Sequence, residues 1–287
     1  MSGKKSNKYH DKMPWPKTLV LTGVYLLLGF CVISAYNKYS QKTNTNNPIN
    51  SSITATNLLK VNNNTAKNTG KIIDYEYFTV NFNPKLHIPN WVGWELTRQE
   101  ISGNEKRGSF QTDESVKGCA QSSDYTKSGY DRGHMVPAAD MKWNPTAMDR
   151  CFYMTNICPQ AHTLNGGAWK KLEEKCRIWA DADSSIVIIC GPILNPDPDE
   201  FIGDSKVAVP KSFFKVIYSP NAKPPRGIGF IMPNGKVPGG LQNAAVTIDE
   251  VEAQTGFDFF YELPDDVENQ IESECRFHFW STIKPRK

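Results

Sequence analysis

Thr18 to Tyr36, "TLVLTGVYLLLGFCVISAY", carries no charge and as a helix would span about 28 Å, close to the hydrocarbon thickness of a bilayer. No other stretch constrains the chain so strongly, because it separates a short basic leader from everything that must fold in water. Lys4, Lys5, Lys8, Lys12 and Lys17 precede it, and only Lys38 and Lys42 follow closely. The positive-inside bias therefore makes residues 1–17 a cytoplasmic leader, residues 18–36 a transmembrane anchor in the lipid bilayer, and the rest a body on the periplasmic or extracellular side. A cleaved signal peptide has the same basic start and apolar run. The run exceeds a usual signal core of about 7–15 residues and no A-x-A site follows, which favours a retained single-pass anchor.

Residues 37–70 turn to Asn, Thr, Ser and Lys with scarcely an aromatic and no sustained periodicity, the composition of a disordered tether. Before residue 71 nine lysines oppose one acid, Asp11, so a formal net charge of +3 for the whole chain leaves the remainder acidic. An acidic body is a poor sequence-blind clamp on a polyanion, so any nucleic-acid contact it makes must be local.

The folded domain is expected over 71–287. "IIDYEYFTVNF" from Ile72 alternates aromatic and β-branched residues as a strand does, and "SIVIIC" at 185–190, "SFFKVIYS" at 212–219 and "GIGFIMP" at 227–233 read as further strands, the last before an Asn-Gly turn. "GAWKKLEEKCRIWA" places Trp169, Leu172, Cys176 and Trp179 on one helical stripe. Thr247 to Ala253 carries a Thr-x-x-Glu capping box and stops at Gly256. These elements predict an α+β domain with a central mixed or antiparallel sheet flanked by helices. Six cysteines follow the apolar run: Cys119, Cys151, Cys158, Cys176, Cys190 and Cys275. An even number on an exported side favours disulfides, although the pairing is open and Cys190, in an apolar strand, is equally well explained as core.

"SGYDRGHMVPAADM" sets one of only five histidines beside an arginine. A neighbouring guanidinium disfavours imidazolium, which leaves His134 neutral near pH 7 and able to accept a proton. Such a base works against a cation that stabilises charge on the attacked oxygen. Downstream, "FYMTNICPQAHTLNGGAWKKLEE" supplies Asn156, Asn165 at the mouth of the helix, and Glu173 two turns along. Asn165 can be read as a helix cap and Glu173 as an exposed charge. An amide oxygen is also a hard ligand suited to Mg²⁺, which keeps several waters and takes few protein groups beside a phosphate.

"DRGHM", "TNICPQ", "LNGGAW" and "KLEE", in this order and at these separations, resemble the DNA/RNA non-specific endonucleases of the ββα-metal fold, over roughly Ile72 to Lys284. The resemblance implies a general base at His134, a metal ligand at Asn165 and a phosphate-steadying Arg132. It places Asn156 and Glu173 around a hydrated Mg²⁺, the glutamate acting through water, with Asp131 in support. Mn²⁺ is an equally oxygen-loving alternative. DNA and RNA, single- or double-stranded, are the implied substrates. Lys142 and Lys170, with Arg150, Lys171, Lys175 and Arg177 nearby, either guide phosphate inward or form a solvated helix face. Two further readings remain open from residues alone: an exported phosphodiesterase for smaller phosphoesters, and a catalytically silent nucleic-acid-binding surface module.

Overall fold

Apolar runs that lack strict alternation become central strands when both sheet faces are covered, and three such strands organise the protein. The computed structural model describes residues 55–63, 69–194 and 197–286, all within one compact unit spanning residues 53–287. The leader, the apolar segment 18–36 and the tract 37–54 lie outside the described residues. Among the described residues no helix is long and apolar enough to cross a membrane.

Along the chain come α1 (Ala55–Leu58), β1 (Val61–Asn63), β2 (Lys71–Asp74), β3 (Thr79–Asn83), β4 (Ile88–Thr97), β5 (Asp131–His134), α2 (Pro145–Arg150) and β6 (Ile157–Gln160). After these follow α3 (Lys170–Asp183), β7 (Ser185–Ile193), β8 (Phe201–Ile202), β9 (Val207–Ala208), β10 (Ser212–Ser219), β11 (Arg226–Pro233), α4 (Leu241–Ala244) and β12 (Ala245–Val246). The chain ends with α5 (Ile248–Thr255), β13 (Phe257–Phe259), α6 (Asp265–Glu272) and α7 (Phe277–Thr282). The main sheet has seven strands in the order β12-β11-β10-β7-β4-β3-β2. Every pairing in it is antiparallel, which resolves the mixed-or-antiparallel expectation.

On β10, Phe213 and Ile217 join one hydrophobic cluster while Phe214, Val216 and Tyr218 join another on the opposite face. On β7, Ile186, Ile188 and Cys190 divide from Val187 and Ile189 in the same way. This period-2 division is what a strand imposes when both faces are buried. The first cluster carries the layer of β5, β6 and α3. The second is covered by α5, β13 and the start of the described chain.

Three local results differ from the sequence expectations. "IIDYEYFTVNF" is a hairpin rather than one strand: Glu76 takes a positive φ of 73° and its N–H donates to Asp74 Oδ1 at 2.7 Å. β4, which carries Pro89 and Gly93, was not expected at all. Its register against β3 shifts between Asn81↔Trp91 and Phe82↔Pro89, and that bulge accommodates a proline where the neighbouring β7 has not yet begun to pair. Within the tract read as tether, β1 pairs with β13 and Leu58 is buried in the second cluster. Residues 55–63 therefore dock on the body.

Candidate active site

β5 and β6 pair antiparallel, with His134 opposite Ile157 and Asp131 opposite Gln160. From Gln160 the chain enters a wide helical turn, Leu164–Trp169, kinked at Gly167, and passes straight into α3. The result is a β-β-α unit held against the sheet. Trp169 donates its indole N–H to the His134 carbonyl at 3.2 Å, which ties the turn bearing Asn165 to the strand bearing His134. Gly133 lets the unit close, because a Cβ there would lie 2.2 Å from Gln160 Oε1.

His134 is buried, its ring edge-on to Phe152 at 4.8 Å and tilted on Phe110 at 5.2 Å. Its Nε2 finds no hydrogen-bond partner among the described residues. Burial, and secondly the charge of Arg107, push the imidazole down to about 3, so the ring is neutral at pH 7. The guanidinium that acts on His134 is thus Arg107, not the adjacent Arg132. Arg107 is exposed and lies over the Phe152 ring at 5.4 Å. Arg132 shares the His134 face of β5, reaches over Phe110 and Tyr125 and donates twice to the Ser122 carbonyl, at 3.1 and 2.6 Å.

Asn165 does not cap α3. Its amide donates to Asp131 Oδ2 at 2.9 Å, and the same oxygen meets His162 Nδ1 at 2.9 Å. With the N–H side of the amide held, no hydrogen bond engages Asn165 Oδ1 among the described residues, so that oxygen is the available ligand atom. Asn156 stands differently from its expected place beside the metal. It is fully buried, receives the Val136 N–H and donates to the Val136 and Cys151 carbonyls. These bonds use both amide protons and the oxygen on backbone, making Asn156 a brace for the segment after His134.

Glu173 is half-buried on α3. Burial pushes its carboxyl up to about 7 against the lowering charges of Lys215 and Arg177. Lys215 is fully buried on β10, its Nζ 4.3 Å from the Trp169 ring centre and 5.3 Å from that of Trp94. That ammonium has no hydrogen-bond partner among the described residues. Asp140, also buried, accepts from Arg177 at 2.9 Å and from the Trp94 indole at 3.2 Å. A small charged core of Asp140, Arg177, Lys215 and Glu173 thus underlies the ββα unit, where "SFFKVIYS" suggested only a strand.

No set of three His, Cys, Asp or Glu ligands forms at this site among the described residues. The unengaged Asn165 amide oxygen suits a hard, hydrated dication better than zinc. Of the basic residues expected near phosphate, Lys142, Lys170 and Lys171 are exposed. Arg150 is spent on the Tyr75 carbonyl and Glu76, and Arg177 on Asp140. The expected disulfides are corrected: all six described cysteines are free thiols. Cys151, Cys158, Cys176 and Cys190 serve as core packing.

A histidine on a β-β pair followed by a helix whose entry presents an asparagine places the protein in the ββα class of α+β folds. The DNA/RNA non-specific endonuclease family matches residues 55–266, and the chain belongs to that family. It is 32% identical over 204 residues to "Nuclease EXOG, mitochondrial" of Danio rerio, covering 65% of this chain and 60% of that one. It is 34% identical over 214 residues to "Mitochondrial nuclease" of Saccharomyces cerevisiae, covering 66% and 65%. The chain thus spans less than two thirds of the length of either relative. Among solved structures it resembles a chain of the EndoG/EndoGI complex, with a TM-score of 0.65 and 27% identity, over 71% of this chain and 91% of that one.

Proposed function

We propose that the chain is a metal-dependent, sequence-non-specific endonuclease that hydrolyses phosphodiester bonds of DNA and RNA. The observation that carries this reading is the uncharged ring of His134 on the same ββα unit as an Asn165 carbonyl oxygen oriented by Asp131. His134 takes a proton from a water poised to attack phosphorus. Arg132, already fixed by Ser122, offers its remaining N–H groups to the phosphate. Asn165 Oδ1 would hold a hydrated Mg²⁺, or Mn²⁺, with Glu173 acting through water. A bound dication supplies positive charge to the phosphate and to the departing oxygen.

The chemistry engages backbone phosphate and needs no base edge or 2′-hydroxyl, so it suits either nucleic acid. Exposed Lys142 and Lys170 would guide the strand. We carry forward the membrane-anchored, outward-facing arrangement from the charge asymmetry about residues 18–36; extraction at alkaline pH would test the anchor. For the activity, circular DNA and RNA incubated with Mg²⁺ should be degraded, and EDTA, His134→Ala or Asn165→Ala should each abolish cleavage. Undiminished cutting by His134→Ala would sink the reading.

A further inference from the structure

On the face of the sheet opposite the ββα unit, Asp249 and Glu252 of α5 and Glu272 of α6 bring one carboxylate oxygen each within 4.8 Å of one another. Oxygens bound to a single calcium ion lie at most about 4.6–5.2 Å apart, twice the usual Ca–O distance, so the three groups are spaced as ligands of one ion. A cluster of acids on a surface needs no ion, since water can solvate each charge. Glu272 is not on the surface: it is 7% exposed, and its Oε1 is buried with no hydrogen-bond partner among the described residues. A buried carboxylate oxygen with nothing to accept from is costly unless a proton or a cation meets it.

Among the described residues, the leading charges around Glu272 do not supply that cation. The leading charges acting on Glu272, those of Glu252, Glu268, Asp249 and Asp258, are all acidic. Glu252 Oε1 accepts the Phe259 N–H at 2.7 Å. Lys60, on the docked N-terminal segment, is paired with Glu262 at 3.0 Å. Asp258 receives only the Asn62 amide at 3.4 Å.

We infer that Asp249, Glu252 and Glu272 form a structural binding site for a calcium-type divalent cation, separate from the ββα unit, that joins α5 to α6. Three carboxylates suit calcium, which accepts many oxygens in flexible geometry. They suit Mg²⁺ less, because it keeps its waters and takes one or two carboxylates. Such an ion would fasten the C-terminal helices to the sheet while leaving the phosphodiester chemistry to Asn165.

The test uses the full-length chain, stripped with EDTA and then titrated with CaCl₂ or MgCl₂, read by thermal unfolding. Calcium at roughly 100 times its Kd should raise Tm by about 5–10 °C in the parent and equally in Asn165→Ala, with a smaller shift from MgCl₂ at the same concentration. The triple variant Asp249→Asn, Glu252→Gln, Glu272→Gln should lose the calcium response. Without calcium it should melt at or above the parent's temperature, because mutual repulsion is removed, which separates loss of the site from loss of the fold. A calcium shift that survives in the triple variant, no shift in the parent, or an equal response to magnesium in Asn165→Ala would overturn the assignment.

Discussion

The Asp131 carboxylate holds the Asn165 amide at 2.9 Å, which fixes the amide's nitrogen side and leaves its oxygen to point away. An outer partner of this kind typically contributes 10–100-fold to metal affinity. Asp131→Ala should therefore raise the Mg²⁺ concentration needed for half-maximal cleavage by about 10–100-fold. Unfolding stability should change by less than about 1 kcal/mol, since the group is part-exposed. His162 shares the same oxygen but its side chain is 85% exposed; His162→Ala should move the Mg²⁺ requirement far less. An unchanged Mg²⁺ titration for Asp131→Ala would separate Asn165 from metal binding.

The central strands and the α3 stripe were legible because burial on both faces writes continuous apolar runs, and burial on one helical face writes a three-to-four repeat. The α5 boundaries were legible because both ends are chemical: Thr247 and Glu250 exchange the capping bonds, and Gly256 stops the helix at a φ of 73°. β4 was hidden because Pro89 and Gly93 break the pattern that a bulge restores in three dimensions. Arg107 could not be linked to His134, since the two are far apart in sequence with no periodic relation and the contact runs through Phe152. Lys215 lay inside a run that reads simply as a strand, and only the sheet places its ammonium over Trp169. Counting cysteines suggested disulfides because number says nothing about where a thiol is buried.

The buried imidazole makes stability depend on pH with a definite sign. Native His134 titrates at about 3 and an unfolded histidine at about 6.5, so between these values the unfolded chain binds a proton that the folded one refuses. Stability from this group is complete above about pH 6.5 and is lost as pH falls towards 3. Between pH 7 and pH 5 the loss should amount to about 2 kcal/mol. Urea unfolding of the parent and of His134→Phe across this range isolates the contribution, because other acids titrate in both. A stability difference between them that does not vary with pH would mean that the native ring takes up its proton as readily as the unfolded one.

Free thiols in the core should be chemically silent. Burial pushes Cys151, Cys176 and Cys190 up to about 12 and Cys119 to about 11, so almost no thiolate exists at pH 8. Cys275 is exposed. In a Cys31→Ser background, a thiol reagent such as DTNB should titrate one cysteine within minutes, and Cys275→Ser should remove that phase. The remaining five should appear only in denaturant. Fewer than six thiols in the denatured, unreduced protein would reveal a disulfide.

Lys215 offers the sharpest link between the buried layer and the chemistry. Burial works against its charge, while the acids Glu173 and Asp140 act the other way, and it is held above the ordinary lysine value. The ammonium in turn is the largest charge keeping the Glu173 carboxyl from rising further than about 7. Lys215→Met preserves the stem against Trp94 and Trp169 but removes that charge, so Glu173 should titrate higher and be mostly protonated at pH 7. If ionised Glu173 holds the metal's water, cleavage by the variant should fall more at pH 7 than at pH 9, giving a pH profile displaced to the alkaline side. Asp140 keeps Arg177 in the variant, so the fold retains a partner for its most buried acid, and urea unfolding would report any residual loss. An equal fall at both pH values would mean that Lys215 supports packing alone.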